Sequence, residues 1–327
     1  MTVASAEADS GLAGFDPIDQ ALRRSESSLR SPRMLDVGAA GAADAVAGTV
    51  RWKPGKSLWI STMTIAGVIG APATFTWDAL ALFTVTTAVT ICLGHSLGMH
   101  RRLIHRAFEC PIGLERLFVY LGTLVGMAGP YGMIRQHDMR DWAQRRPRCH
   151  AYLAHRSALA RDGFWQLHCE LKLAHPPELL IERRVANDAF YQFLERTWMA
   201  QQIPWALLFF AVGGAPWVVW GVALRVAVSL TGHWLIGYFA HNRGPRSWHV
   251  EGAGVQGYNV PYCGLITMGE AWHNNHHAFP ASARLGVRPG EADPGWWVLM
   301  FLSWLGLVWE VKTPEALPHR PNLKSLV

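Results

Sequence analysis

Two stretches near the start of the chain lack charged side chains: Leu58–Trp77, and Ala79–Met99 apart from His95. Each is long enough to cross about 30 Å of hydrocarbon as a helix. The turn residues from Gly70-Ala71-Pro72 to Trp77-Asp78 predict a helical hairpin. A second uncharged run, Thr197–Leu224, is broken by Gly213-Gly214-Ala215-Pro216 and resumes from Trp217 to Ala240, interrupted by Arg225 and His233. Four crossings result, at about 58–77, 79–99, 197–213 and 216–240. No sustained period-2 alternation appears, so the expected fold is all-α and integral to a membrane.

Two shorter apolar runs, Phe118–Ile134 and Trp296–Trp309, are expected as interfacial or buried helices rather than crossings. Residues 1–50, rich in Ala, Gly, Ser and mixed charge, are expected as a disordered tail, leaving 51–327 as the membrane unit.

Charge adds an orientation. Both hairpin turns lack Lys and Arg, whereas residues 100–196 are dense in Arg, including Arg101, Arg102, Arg106, Arg135, Arg140, Arg145, Arg146 and Arg148. The positive-inside rule assigns 100–196, 241–327 and both termini to the cytoplasm. The net charge of +6 flanks apolar stretches, which suits an anionic membrane surface and argues against a nucleic-acid partner. The Arg145-Arg146 and Arg148 cluster reads as a solvated face near lipid, or more sharply as a surface for an anionic coenzyme or headgroup. The five Cys form no CxxC pair, so reduced thiols are expected rather than a disulfide framework or zinc ribbon.

The candidate chemistry lies in the fifteen His. His100 and His105 form an HxxxxH pair where the second crossing meets the cytosol. His137 sits in the Arg-rich segment, and His241 closes the fourth crossing. His273, His276 and His277 form HxxHH, a spacing that shares one helix face. The expected topology brings all of them to one side of the bilayer. Imidazole suits iron, zinc, copper and nickel, and this supply exceeds one tetrahedral zinc, so two metals are expected. His95 and His233 are read as neutral imidazoles bonding across helices, and His150, His155, His168 and His175 as supporting or surface groups. No Rossmann GxGxxG, haem CxxCH or ferredoxin cysteine pattern is present, so electrons must come from a separate partner.

Gly98-Met99-His100-Arg101-Arg102-Leu103-Ile104-His105-Arg106 and Gly269-Glu270-Ala271-Trp272-His273-Asn274-Asn275-His276-His277-Ala278-Phe279-Pro280 resemble the histidine boxes of membrane fatty acid desaturases of the acyl-CoA type and their hydroxylase relatives. Weaker likeness covers His241 and Gly163-Phe164-Trp165 through His168, and the whole runs from about Leu58 to Trp309. The resemblance implies two irons, dioxygen as co-substrate, a fatty acyl substrate, surrounding membrane lipids, and a ferredoxin or cytochrome-type electron donor. Carried over residue by residue, the ligands are His100, His105, His137, His241, His273, His276 and His277.

The middle box departs from the family's HxxHH, reading His137-Asp138-Met139-Arg140-Asp141. Asp141, one turn from His137, can offer a carboxylate oxygen and joins the candidate ligands. Arg140 is donor-only and cannot bind a cation. One iron therefore lacks a ligand unless His150, His155, His168 or water supplies it. Desaturation is the expected outcome. A hydroxylase or ketolase, or a non-catalytic metal- or lipid-binding descendant, stays open.

Overall fold

The computed structural model describes residues 33–38 and 41–327. The fold is mostly helical. Among the described residues, strands occur only as four two-stranded antiparallel ribbons. Part of the expected tail lies outside the described residues. The rest corrects the expectation, because Gly48–Trp52 pairs with Cys169–Leu173, and Met34–Leu35 with Glu178–Leu179. Arg33 is buried, and its guanidinium reaches the carbonyls of Leu103 (2.8 Å) and Ile104 (3.0 Å) and the carboxylate of Glu182 (2.8 Å).

Helix α1 (Pro54–Ala73) opens with Pro at its first turn, where a missing N–H costs nothing. It runs through Pro72, so the expected turn at Gly70-Ala71-Pro72 is helical instead. The helix ends one residue later, at Ala73. There the Thr74 hydroxyl donates to the Gly70 carbonyl (2.8 Å), and Thr76 caps the next helix by accepting from the Ala79 N–H (3.2 Å). That helix, α2 (Trp77–Ile104), begins as an α-helix and widens into π-helix over Thr90–Ile104.

The run expected at 118–134 is two helices, α3 (Ile112–Leu124) and α4 (Pro130–Gln144). The side chain of Glu195 caps α4, accepting from the N–H groups of Tyr131 (2.9 Å) and Gly132 (3.1 Å). Next come α5 (Leu159–His168), α6 (Gln202–Val218), a π-turn at Val219–Leu224, and α7 (Arg225–Asn242). Gly214, with φ 65° and ψ −156°, breaks α6 in a conformation that suits glycine. The Phe209 ring lies against Gly221. A straight helix would separate these residues by about 18 Å, so the chain folds back at Gly214. The short α8 (His273–Ala278) and α9 (Pro294–Trp304) complete the scaffold.

By length and composition, two helical stretches are long and apolar enough to cross a membrane: Trp77–Ile104, and Gln202–Asn242 with its fold-back at Gly214. Only 28% and 22% of their apolar windows are buried within the protein. Exposed Ile65, Val68 and Ile69 on α1 join Leu207, Phe210 and Val212 on α6 in the apolar outer surface. An uncovered apolar surface of this kind suits hydrocarbon rather than water. Arg225 turns into the protein. It is buried, bonding the Gln202 side chain (2.6 Å) and the carbonyls of Leu124 (2.6 Å) and Gly221 (2.7 Å).

The buried layer that positions the histidines joins α2 to α3, α4 and Ala189–Thr197 through Met99, Leu103, Val119, Ile134, Tyr191 and Leu194. A second cluster, with Leu97, Phe108, Phe118 and Leu299, ties α2 to α9. Close approach decides the first contact. A Cβ at Gly94 would fall 2.4 Å from the Gly122 nitrogen, and one at Gly98 2.6 Å from the Phe118 backbone. Small residues four apart let two apolar helices pack backbone to backbone.

Candidate metal centre

The π-helix explains the HxxxxH spacing. In an α-helix, positions five apart diverge; in a π-helix, residue i+5 bonds back to residue i. The His105 N–H donates to the His100 carbonyl (3.0 Å), and the two rings lie 4.8 Å apart. Glu270 pairs with His100, one carboxylate oxygen lying 2.7 Å from Nδ1, and the Ser96 hydroxyl donates to the other carboxylate oxygen (2.6 Å). His137 projects from α4, with Nδ1 on Asp138 (3.2 Å) and Nε2 3.1 Å from His105 Nε2.

His241 ends α7. Its Nδ1 donates to the Gly237 carbonyl (2.6 Å), which leaves the Nε2 lone pair free. That Nε2 lies 3.0 Å from His273 Nε2, which lies 3.0 Å from His277 Nε2. The short α8 owes its position to the two asparagines between its histidines. Asn274 accepts from the N–H groups of Ser247 (2.8 Å) and Trp248 (2.9 Å), and donates to the carbonyls of Trp248 and Gly257 (both 2.9 Å). Asn275 donates to the Leu285 carbonyl (2.9 Å) and Glu291 (2.7 Å).

Two groups emerge. His100, His105, His137 and His276 offer nitrogens within 4.8 Å of one another, as do His241, His273 and His277. The rings of His100 and His276 are 4.5 Å apart, and those of His276 and His277 6.0 Å, so α8 links the groups. Metal–nitrogen bonds of about 2.0–2.1 Å set neighbouring ligand nitrogens about 3 Å apart. The observed Nε2 pairs fit that spacing. One N–H cannot satisfy three converging lone pairs, whereas a cation does. Burial holds His273 and His276 well below the ordinary imidazole range and His277 at about 4, keeping them in the neutral form that binds metal.

The remaining candidates separate. Asp141 belongs to neither group; its carboxylate accepts from Arg145 (2.9 Å). Burial pushes its carboxyl upward, but His137 and Arg145 outweigh this and hold it well below the usual range. Arg140 lines the same space as the histidine groups but joins neither, donating to the Gln166 side chain (2.9 Å) and meeting His155 Nε2. His155 is buried, anchored at Nδ1 by Asp162 (2.8 Å) and stacked 5.3 Å from His241. His150 and His168 lie elsewhere, His150 capping the Ala151–Ala154 turn and His168 bonding Ser57 (2.9 Å). His95 and His233 do not bond to each other. Their rings meet edge-on at 4.9 Å and line the same cavity as the two groups. All five cysteines are free thiols.

That cavity holds about 200 Å³ and is walled partly by Trp59, Met127, Met133, Leu230 and Trp234. On the other side of His105 and Asp141, a basic cleft of about 620 Å³ is lined by Arg106, Arg145, Arg146 and Arg320. Sequence reasoning missed Glu270, Asn274 and Asn275 as working residues. Their signal was present in the box that carries the histidines, but adjacency alone does not tell an anchor from a spacer.

The chain is 33% identical over 267 residues to the sn-1 stearoyl-lipid 9-desaturase of Anabaena variabilis, covering 79% of this chain and 94% of that one. It is 31% identical over 258 residues to the acyl-CoA C20 Delta5-desaturase of Anemone leveillei, covering 76% and 79%. It is also 30% identical to Delta-9 acyl-lipid desaturase 1 of Arabidopsis thaliana, over 76% of this chain and 80% of that one. No protein-family model matches the chain. A helical scaffold with apolar spans and paired imidazole clusters defines a membrane oxidoreductase of the histidine-box class. The chain belongs to the fatty acid desaturase family.

Proposed function

We propose that the chain desaturates a fatty acyl substrate, as acyl-CoA or acyl lipid, using dioxygen and two irons. The observation that carries this reading is the convergence of seven imidazoles in two linked groups, five of them lining one cavity, in a member of the desaturase family. His100, His105, His137 and His276 hold one iron; His241, His273 and His277 hold the other. Asp141, one helical turn from His137, is a further candidate oxygen ligand for the first. Glu270, Asp138 and the Gly237 carbonyl orient His100, His137 and His241 through their Nδ1 atoms. When bound, the metal pair supplies the reduction of dioxygen and the removal of hydrogen from an unactivated methylene. Overall, two adjacent carbons lose one hydrogen each. Two electrons and two protons enter, and two waters leave. The electrons come from a separate ferredoxin or cytochrome-type donor. The apolar part of the cavity wall, with Trp59, Met127, Met133, Leu230 and Trp234, holds the hydrocarbon of the chain.

In the same reading, α1, α2 and the two arms joined at Gly214 cross the bilayer four times. Residues 100–196 and 241–327 and both termini then lie in the cytoplasm. Expression in a host with a simple lipid profile, followed by lipid mass spectrometry, tests the activity. A loss of two mass units supports desaturation, and no product with iron-loaded protein defeats it. One observation favours a second outcome. The second histidine group has three imidazoles, with Arg140 bonded to Gln166 rather than joining it, so on this scaffold a hydroxylase would give a gain of sixteen mass units and a ketolase a gain of fourteen.

A further inference from the structure

Two cations face the cavity without a counter-ion. Arg140 donates to the Leu153 carbonyl (3.4 Å), the Gln166 amide oxygen (2.9 Å) and His155 Nε2, all neutral acceptors. Lys56 donates to the Cys169 carbonyl (3.0 Å). Neither has a carboxylate within 4.0 Å among the described residues. The cavity wall holds two carboxylates, and both are engaged, Asp141 by Arg145 and Glu270 by His100 and Ser96. Asp162 lies beyond the His155 ring and is bonded by His155 and Trp234. A charge withdrawn from water is costly unless it is paired. The wall is polar elsewhere too, since His95, His233 and Gln136 also face the space. A plain hydrocarbon would leave these groups without partners.

Resting on the desaturase reading, we infer that this cavity takes an acyl substrate with an anionic group, a carboxylate, close to the carbons being oxidised. Arg140 and Lys56 are its binding residues. Arg140 stands one turn from His137 and touches the ring stacked on His241, so its ligand lies beside the histidine groups. The specificity residue sits where the family's middle box carries an imidazole.

The test uses the full metal-loaded chain in detergent, with decanoate and decan-1-ol as probes. Binding is followed by thermal shift and by fluorescence of the cavity tryptophans Trp59, Trp198 and Trp234. Decanoate should bind about tenfold tighter or better, the worth of one charge-assisted hydrogen bond. Arg140→Gln should remove most of that preference, Arg140→Lys should keep it, and Lys56→Gln should weaken it. If Arg140→Gln fails to fold, Lys56→Gln carries the same comparison. Equal binding of the two probes overturns the inference. A preference that survives both Gln variants also overturns it, because the carboxylate would then sit on the metal. Desaturated product from neutral acyl lipids, with no carboxylate preference, would sink this inference and leave the desaturase reading standing. Carboxylate preference in a protein that makes no product would do the reverse.

Discussion

Glu270 is the sharpest lever on the metal centre. One of its oxygens holds His100 Nδ1 at 2.7 Å and the other is held by Ser96 at 2.6 Å, so the carboxylate fixes the ring's rotation and tautomer. It touches the first histidine group only, since His241 is oriented by a backbone carbonyl instead. Removing an outer partner of a ligating imidazole lowers metal affinity about 10- to 100-fold. Glu270→Ala should therefore cost about 1.4–2.7 kcal/mol at one site. Glu270→Gln keeps an acceptor for His100 and a donor for Ser96, so its loss should stay below about tenfold. Titration of purified protein with a chelator, read by metal analysis, should show two equal steps in the wild type. In Glu270→Ala one step should move to lower chelator concentration and the other stay fixed. Two steps that move together, or neither moving, would refute the assignment of Glu270 to one metal.

Other outcomes follow from the same geometry. His276→Ala should abolish product while leaving membrane insertion intact, as judged by fractionation and lipid mass spectrometry. Asp141→Ala should lower bound iron, and an unchanged iron content removes Asp141 from the ligand list. Asn274→Ala leaves two backbone donors and two carbonyls without their side-chain partner, and should cost about 3–6 kcal/mol with early thermal unfolding. Gly98→Ala forces a methyl into the Phe118 backbone and should cost about 1–3 kcal/mol, read as a lower melting temperature. For chelator-treated protein, buried neutral imidazoles make the folded state bind fewer protons than the unfolded chain. With His155 and His277 both pulled down to about 4, stability should be full above the ordinary imidazole pKa of about 6.5 and fall as pH drops towards 4.

The histidines were legible because metal binding imposes spacings that ordinary packing does not. Which nitrogens meet was not. His276 and His277 are neighbours in the chain and serve different groups, a division that depends on how α8 is rotated by Asn274 and Asn275. The π-winding that makes HxxxxH a single face leaves no composition signal beyond Gly94 and Gly98. Apolar length located the long helices, but punctuation misled. Pro72 sits within a helix whose stop is set by Thr74 and Thr76. The uncharged run 118–134 hid a break before Pro130, where Glu195, far along the chain, supplies the cap. Arg140 was legible as a lost ligand. Its lack of a counter-ion needed three-dimensional neighbours.

Arg33 extends the centre's dependence to the beginning of the described chain. It satisfies the last carbonyls of the helix that bears His100 and His105, and through Glu182 and Asp138 (3.3 Å) ties that helix end to the neighbour of His137. Shortened clones that begin after this residue would keep every imidazole and still loosen the frame that aims three of them.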